Sequence, residues 1–306
     1  MSTAVVFAYH NVGVRCLSVL LAHGVDVQLV LTHEDDPSEQ IWFDSVSKLA
    51  TRNHVMFATP KNPNEPQWLE QIANLKPDFI FSFYYRHMLS AELLACARKG
   101  AYNMHGSLLP KYRGRVPVNW AVIYGERETG ATLHEMVTKP DAGAIAGQQA
   151  VPILPDDTAF EVFQKVTVAA EMVLDRTLPS ILDGSLKPQS QDLTRGSYYG
   201  GRKPEEGRIQ WTQSATQIHN LIRAVAPPYP GAFTDLQGKR FRVLRSRVLH
   251  EHRNTKGIPC LYWQGSTLRA VLNDGSMLEL LEVEHQGQLL DQTGWHSLFG
   301  GLLLTL

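Results

Sequence analysis

The sequence predicts an α/β protein: a Rossmann-like, mostly parallel sheet with flanking helices, followed by a small antiparallel β-barrel of OB-like type. Three observations carry this. From residue 4 to residue 178, short apolar runs alternate with stretches whose apolar residues recur at helical spacing. From Gly184 to Gly207 the chain turns polar and glycine-rich, as a crossing between domains does. Beyond Gly207, apolar runs are separated by turn residues such as Asn273, Asp274 and Gly275. The expected division is a first domain over residues 1–200, with a linker at about 184–207, and a second over residues 208–306.

Taken in order, Ala4–Ala8 is a short apolar run suited to a buried strand, and Cys16–Ala22 has the spacing of an amphipathic helix. Val25–Leu31 predicts a second strand, Trp42–Arg52 a helix, NHVMFATP at 53–60 a third strand and QWLEQIANL at 67–75 a helix. PDFIFSFYY at 77–85 predicts a strongly buried fourth strand, Ala91–Ala97 a helix, and Ala101–Met104 a short strand that delivers His105 to its carboxyl end. That location matters, because open α/β sheets bind ligands at the carboxyl ends of their strands. Next come a helix over Val118–Ile123, a strand pair at 130–137 and 144–153, and a long helix over Ala159–Leu178 capped by Asp156 or Asp157. In the last third, Ala215–Ala226 predicts a helix, and Gly238–Leu249, Cys260–Trp263, Thr267–Leu272 and Met277–Glu284 predict strands.

Composition excludes several classes of function. With 306 residues and 43% hydrophobic content, the chain can bury the core of one large domain or two modest ones. Lys plus Arg (29) nearly cancels Asp plus Glu (30), so no global basic field gathers nucleic acid or an anionic membrane surface. Cys16, Cys96 and Cys260 are odd in number and too far apart for a zinc site, which predicts reduced core thiols, no metal and a cytoplasmic location. The start lacks the basic and long apolar regions of a signal peptide, and no run of about 18 apolar residues is present, so no membrane insertion is expected. The turn after the first strand, AYHNVGV, holds only Gly13, so the three-glycine dinucleotide fingerprint is missing and a redox enzyme is disfavoured.

The chemistry concentrates in AYNMHGSLLPKYRGRVPVNWA, residues 101–121. Asn103 and His105, two apart on a strand, point to the same side of the sheet. An amide that never titrates beside an imidazole that does suits acyl transfer: the amide holds a developing oxyanion while the imidazole moves a proton. A carboxylate should tune the imidazole, and Asp141, in KPDAGAI, is the candidate; beside His105 it would raise the histidine pKa.

NMHGSLLPKYRGRVPVNWA together with GATLHEMVTKPDAGAI resembles the signature of the formyltransferases that use 10-formyltetrahydrofolate. The shared features are the Asn-x-His pair, SLLP, YRG and DAG, in order and at family-like spacing, and FAYHNVG, SFYYRHML and IHNLIRAVAPPYPGAF extend the similarity over most of the chain. The resemblance implies a catalytic triplet of Asn103 (oxyanion), His105 (general acid and base) and Asp141 (orienting His105). It also implies folate contacts from His87, Met88 and Leu89, from Arg115, and from Val137, Thr138, Lys139 and Pro140 up to Asp141. 10-Formyltetrahydrofolate would be the co-substrate and a nucleotide-linked amino sugar, such as UDP-4-amino-4-deoxy-L-arabinose, the acceptor. The bifunctional relatives continue into a second enzymatic domain; with the last residue at Leu306, only the transferase half is expected.

Methionyl-tRNA is the alternative acceptor within the same family. Its enzymes usually carry a loop rich in Lys, Arg and Gly after the second strand, where this chain has HEDDPSEQIWFDSVSK, with Glu34, Asp35, Asp36, Glu39 and Asp44 against Lys48. Those enzymes also tend to have Pro after the catalytic His, where Gly106 stands here. A folate-binding module without turnover is a third reading, opposed by the complete Asn-His-Asp set. His10, His134 and His219 are expected to be packing or surface histidines, and Tyr84, Tyr85 and Trp120 core or wall residues. YYGGRKPEEGR, 198–208, is expected to be a solvated linker, because no helix start follows it as a phosphate cradle requires.

Overall fold

The computed structural model describes residues 1–37, 41–253, 259–300 and 303–305. Strands and helices alternate through the first part: β1 (Thr3–Ala8), α1 (His10–Ala22), β2 (Asp26–Leu31), α2 (Val46–Arg52), β3 (Phe57–Ala58), α3 (Pro66–Leu75), β4 (Phe79–Phe83), α4 (Ala91–Leu94) and β5 (Gly100–His105). There follow β6 (Arg113–Gly114), α5 (Pro117–Ile123), β7 (Glu128–Glu135), β8 (Ile145–Pro152), α6 (Ala159–Leu182) and β9 (Tyr198–Tyr199). Seven strands form one sheet in the order β3-β2-β1-β4-β5-β7-β8. The first five are parallel; β7 pairs antiparallel with β5, and β8 antiparallel with β7, so that β8 runs with the parallel strands again. This is the mostly parallel sheet the sequence predicts. Val5, Phe7, Leu29, Leu31, Ile72, Ile80 and Leu93 form a buried core on it. Strands covered on both faces read as near-continuous apolar runs, which is why β1 and β4 were conspicuous.

The register gathers the polar exceptions. Ser82 of β4 is paired with Asn103 of β5; Asn103 in turn faces His134 of β7, His105 faces Thr132, and Thr132 faces Gln148 of β8. Directly paired residues project from the same face, so these side chains lie together.

Several boundaries differ from expectation for identifiable reasons. The helix expected from Trp42 begins at Val46, where the Ser45 hydroxyl accepts from the Lys48 N–H at 3.3 Å; Trp42 and Phe43 instead pack around His10. The third strand shrinks to Phe57–Ala58. The cap of α6 is neither Asp156 nor Asp157 but Thr158, whose Oγ1 accepts from the Glu161 N–H while the Glu161 carboxylate accepts from the Thr158 N–H at 2.7 Å, a capping box. Asp157 accepts from the Leu154 N–H. The helix also runs past Pro179 to Leu182, its last turn anchored by buried Leu178 and Ile181.

The chain divides into two compact units: residues 1–117, 128–152 and 163–200 form the first, and residues 118–127, 153–162 and 201–306 the second. The second contains α7 (Ala215–Val225), β10 (Ala232–Leu236), β11 (Lys239–His252), β12 (Cys260–Gln264), β13 (Thr267–Val271), β14 (Ser276–His285), β15 (Gln288–Leu289), α8 (Gln292–Phe299) and β16 (Leu303–Thr305). Its strands form an antiparallel sheet in the order β10-β11-β14-β13-β12-β16, with β15 on β14. Ile218, Ile222, Phe241, Leu261, Leu278 and Trp295 lie at the centre of its core. Four elements of this unit went unpredicted: β10, β15, α8 and β16. β10 is a strand by virtue of its partner β11, and α8 is a short helix capped by Asp291 and anchored by Trp295 and Phe299.

Candidate active site

β5 carries Asn103 and His105 to its carboxyl end, and the loop that follows is tied back to the sheet. Thr132 Oγ1 donates to the Ser107 carbonyl at 2.6 Å and accepts from the Leu109 N–H at 3.2 Å; Gln148 donates to Thr132 Oγ1 and to the Leu109 carbonyl. So held, the loop presents the Tyr112 carbonyl to His105, whose Nε2–H donates to it at 2.8 Å. That bond fixes the tautomer and leaves Nδ1 facing Asp141 Oδ1 at 3.5 Å.

Asp141 and the turn it begins are set by three further contacts. The Gly114 N–H donates to Oδ2 at 2.8 Å, and Gln191 Nε2 donates to the carbonyls of Asp141 and Gly143 at 3.0 and 2.6 Å. Its φ of 52° lies in the left-handed region, which Asp tolerates better than most residues and which recurs where surrounding contacts over-determine a site.

Gly114 itself has φ 98°, and a Cβ there would stand 2.1 Å from the Tyr199 carbonyl oxygen, so only glycine fits. This close approach comes from the β6–β9 pairing, in which Arg113 and Gly114 lie beside Tyr198 and Tyr199, with the Tyr112 and Tyr199 rings stacked at 5.5 Å. The start of YYGGRKPEEGR is therefore a strand supporting the site rather than solvated linker. Pairing with β6 gives it the hydrogen bonds that its local sequence does not foretell.

His134 corrects a second expectation. Its Nδ1–H donates to the Glu135 carbonyl at 2.7 Å, so Nε2 accepts from the Asn103 amide at 3.1 Å and lies 3.5 Å from Asp141 Oδ1. The cluster is thus four residues, Asn103, His105, His134 and Asp141, not three. A lone histidine in GATLHEMV carries no sign of this; only the strand register places it opposite Asn103.

Burial pushes the His105 pKa below its ordinary value, and the Asp141 carboxylate and the bond to the Tyr112 carbonyl oppose this without overcoming it. The expected upward shift from Asp141 is therefore present as a contribution and reversed in the sum, because the ring is almost wholly out of water. For Asp141 burial acts upward, but His105, the neighbouring His134 ring and the Gly114 N–H outweigh it and hold the carboxyl well below the usual range. The resting arrangement is a carboxylate beside a neutral imidazole.

The remaining predicted residues lie in three further segments. His87, Met88 and Leu89 follow β4; Asn64 holds their backbone by donating to the Met88 carbonyl and accepting from the Ser90 N–H, and Met88 is 59% exposed. Val137, Thr138 and Lys139 are exposed and Pro140 half-buried in the turn that ends at Asp141. Leu89 and Met136 pack against the same apolar core. Arg115 is exposed, with its N–H donating to the Tyr199 carbonyl. Gly106 lies against Tyr84, whose hydroxyl would be 1.9 Å from a Cβ at that position.

Elsewhere, His219 is a packing residue, bonded to Ser246 Oγ and the Pro155 carbonyl. Of the acidic segment after β2, Glu34, Asp35 and Asp36 are exposed, and Glu39 lies outside the described residues. Cys16, Cys96 and Cys260 are free thiols. Among the described residues, no helix is long and apolar enough to cross a membrane, and no group of three or more His, Cys, Asp or Glu could hold a metal ion.

Chemically, the cluster offers an unprotonated imidazole nitrogen beside a carboxylate, and an amide with one N–H committed to His134 and another to spare. Such a set can accept and return a proton while stabilising an oxyanion.

Comparison with known proteins agrees in kind. Residues 16–178 match the family model described as formyl transferase, and residues 202–295 the formyl transferase C-terminal domain. Among solved structures, the chain is similar to the N-formyltransferase from Helicobacter canadensis, determined in complex with folinic acid and dTDP-3-aminofucose, with TM-score 0.74 and 21% identity over 92% of this chain and 99% of that one. WlaRD, a sugar 3N-formyl transferase determined in the presence of dTDP and 5-N-formyl-THF, gives TM-score 0.72 and 20% identity over 94% and 99%. HypX from Aquifex aeolicus, in complex with tetrahydrofolic acid, gives 0.62 and 17% over 96% of this chain and 46% of that one. At such identities these likenesses establish a shared fold.

Proposed function

The chain belongs to the formyl transferase family, and from that premise we propose that it moves a formyl group from 10-formyltetrahydrofolate to the amine of a nucleotide-linked amino sugar, UDP-4-amino-4-deoxy-L-arabinose in the first place. The observation that carries this reading is the Asn103, His105, His134 and Asp141 cluster at the carboxyl end of β5. The neutral amine attacks the formyl carbon, a C–N bond forms, and the carbonyl oxygen becomes an oxyanion that the spare N–H of Asn103 stabilises. With Nε2 committed to Tyr112, Nδ1 is the His105 nitrogen that takes the amine proton; Asp141 stabilises the imidazolium so formed. The proton then passes to N10 as the bond between N10 and the formyl carbon breaks and tetrahydrofolate departs.

The donor fits the Met88 and Val137 segments. Met88 and Val137, 59% and 44% exposed, offer apolar surface for a flat pterin, and the exposed turn backbone before Asp141 offers polar groups for its edge. A sugar acceptor is supported by the structures of Helicobacter canadensis N-formyltransferase and WlaRD, which hold dTDP-linked or dTDP ligands with folates. It is supported too by the acidic segment after β2 and the net charge of −1, which give RNA phosphates little to hold. Methionyl-tRNA is accordingly disfavoured. The finer reading, a cytoplasmic enzyme acting in lipid A modification like the formyltransferase half of the bifunctional polymyxin-resistance enzyme, rests on the quoted motifs and on Gly106. The test is a side-by-side assay of the amino-sugar nucleotide and methionyl-tRNA with one folate donor at physiological salt. A higher kcat/KM for methionyl-tRNA overturns the reading.

A further inference from the structure

The carboxyl edge of the sheet carries a second polar feature, well away from β5. A cavity of about 300 Å³ opens beyond β1, β2 and β3, lined among others by Tyr9, Thr32, His33, Glu34, Asp35 and Thr59. We infer that this cavity holds the ribose of the acceptor nucleotide, its 2′ and 3′ hydroxyls donating to the Glu34 and Asp35 carboxylates, so that ribonucleotide sugars are preferred over their 2′-deoxy counterparts; the inference rests on the acceptor class proposed above.

Position is the first argument. In open α/β sheets ligands lie across the carboxyl ends of the strands where the strand order reverses, and an acidic residue beyond the second strand is the usual partner of a ribose hydroxyl. Here the order reverses between β1 and β4. Tyr9 follows β1, Glu34 and Asp35 lie just beyond β2, and Thr59 follows β3. The glycine fingerprint of a dinucleotide cofactor is absent from the first turn, which leaves this edge to the substrate.

Reach is the second argument. From β5, which bears His105, to β2 there are three strand intervals, through β4 and β1, or about 14 Å at about 4.8 Å each. From the reacting amine of such a sugar, through the pyranose ring and the diphosphate, to the ribose C3′ is a path of about twelve bonds. At about 3.5 Å for every three bonds it spans at most about 14 Å. An extended nucleotide sugar therefore bridges His105 and the cavity with little slack.

Chemistry is the third. Both carboxylates already accept from hydroxyls, Asp35 from Tyr9 at 2.9 Å and Glu34 from Thr59 at 3.2 Å, and each ionised carboxylate has lone pairs for further donors. His33 adds a neutral ring: burial pushes its pKa down to about 4, with His87 and Arg86 contributing, and its Nε2 accepts from the Arg86 N–H. Arg86 follows β4 and stands at the cavity wall, with its guanidinium 4.8 Å over the ring of Tyr9, one of the lining residues. A diphosphate attached to a ribose in the cavity would meet that cation at the cavity wall. Along the edge, the order amine, diphosphate, ribose matches the order β5, β4 and β1, β2.

The test compares a uridine diphosphate amino sugar with its 2′-deoxyuridine diphosphate counterpart, using one folate donor and the whole protein. Wild type is expected to favour the ribose form by at least about tenfold in kcat/KM, mostly through KM, since a hydroxyl bonded to a charged acceptor is worth that much. The Glu34→Ala, Asp35→Ala double variant is expected to bring the ratio within about twofold, chiefly by raising KM for the ribose form. Equal kcat/KM for the two acceptors in wild type, or an undiminished preference in the double variant, overturns the inference. If no nucleotide amino sugar is formylated at all, the acceptor assignment fails separately. Calorimetry with UDP and 2′-deoxy-UDP then decides the cavity, tighter UDP binding that is lost in the double variant supporting it and equal binding refuting it.

Discussion

His105 shows how position rather than residue type sets a role. Its Nε2 is spent on the Tyr112 carbonyl and its Nδ1 faces a carboxylate, so one nitrogen is held by the backbone and the other is left for the proton transfer proposed above. Replacing His105 with Ala should lower kcat by at least about a hundredfold, the usual worth of a positioned proton carrier, with folate binding retained. Near-normal turnover would refute that role. Asp141→Asn tests the electrostatics. Removing the negative charge takes away a contribution that raises the His105 pKa, so the histidine should titrate at still lower pH, and NMR of the ring is the direct measurement. An unchanged titration would mean the two groups are uncoupled. Asn103, His105 and Asp141 were legible because an alternating Asn-x-His and a Pro-Asp-Ala-Gly turn have chemical meaning within short stretches. His134 was not, because its meaning depends on a partner 31 positions away that only the register supplies.

Secondary-structure elements follow the same rule. β1, β2, β4 and β5 were legible as buried runs, and β11, β12, β13 and β14 of the second unit as runs between turns. The two-residue strands β6 and β9 were invisible, since neither is long enough to show a period and each exists only through the other. Gly114→Ala should expose how much rests on that pair. The new Cβ meets the Tyr199 carbonyl, so the strands must part and the N–H bond to Asp141 weakens; a loss of stability of roughly 1–3 kcal/mol with a lowered kcat is expected. Thermal unfolding and kinetics of the variant check both, and a variant as stable and active as wild type would mean the loop yields freely. For α6, Thr158→Ala should remove about 1 kcal/mol by loss of the capping box, measurable by urea titration, whereas Asp156→Ala should not.

Over the whole molecule, buried histidines set the response to acid. Burial pushes His10 down to about 3, with Arg86 contributing, and lowers His105 as well. Each binds its proton more weakly folded than unfolded. Their contribution to stability is therefore complete above the ordinary histidine value near 6.5 and is lost as pH falls below it, by about 1.4 kcal/mol per pH unit for each proton taken up on unfolding. Asp141, depressed when folded, extends the loss below about pH 4. Chemical unfolding at pH 7.5, 6 and 5 should give steadily falling midpoints, and a flat profile would show that these rings are already protonated in the native state. The interleaving of the two units has a different consequence, for recombination. Asn119 donates to the Ala224 carbonyl, Arg223 to the Asp157 carbonyl and His219 to the Pro155 carbonyl, so the second unit draws acceptors and donors from two stretches translated well before residue 201. No single crossover in the gene can carry that unit whole into another protein; a transplant made at one junction would arrive with buried Arg223 and His219 stripped of their acceptors.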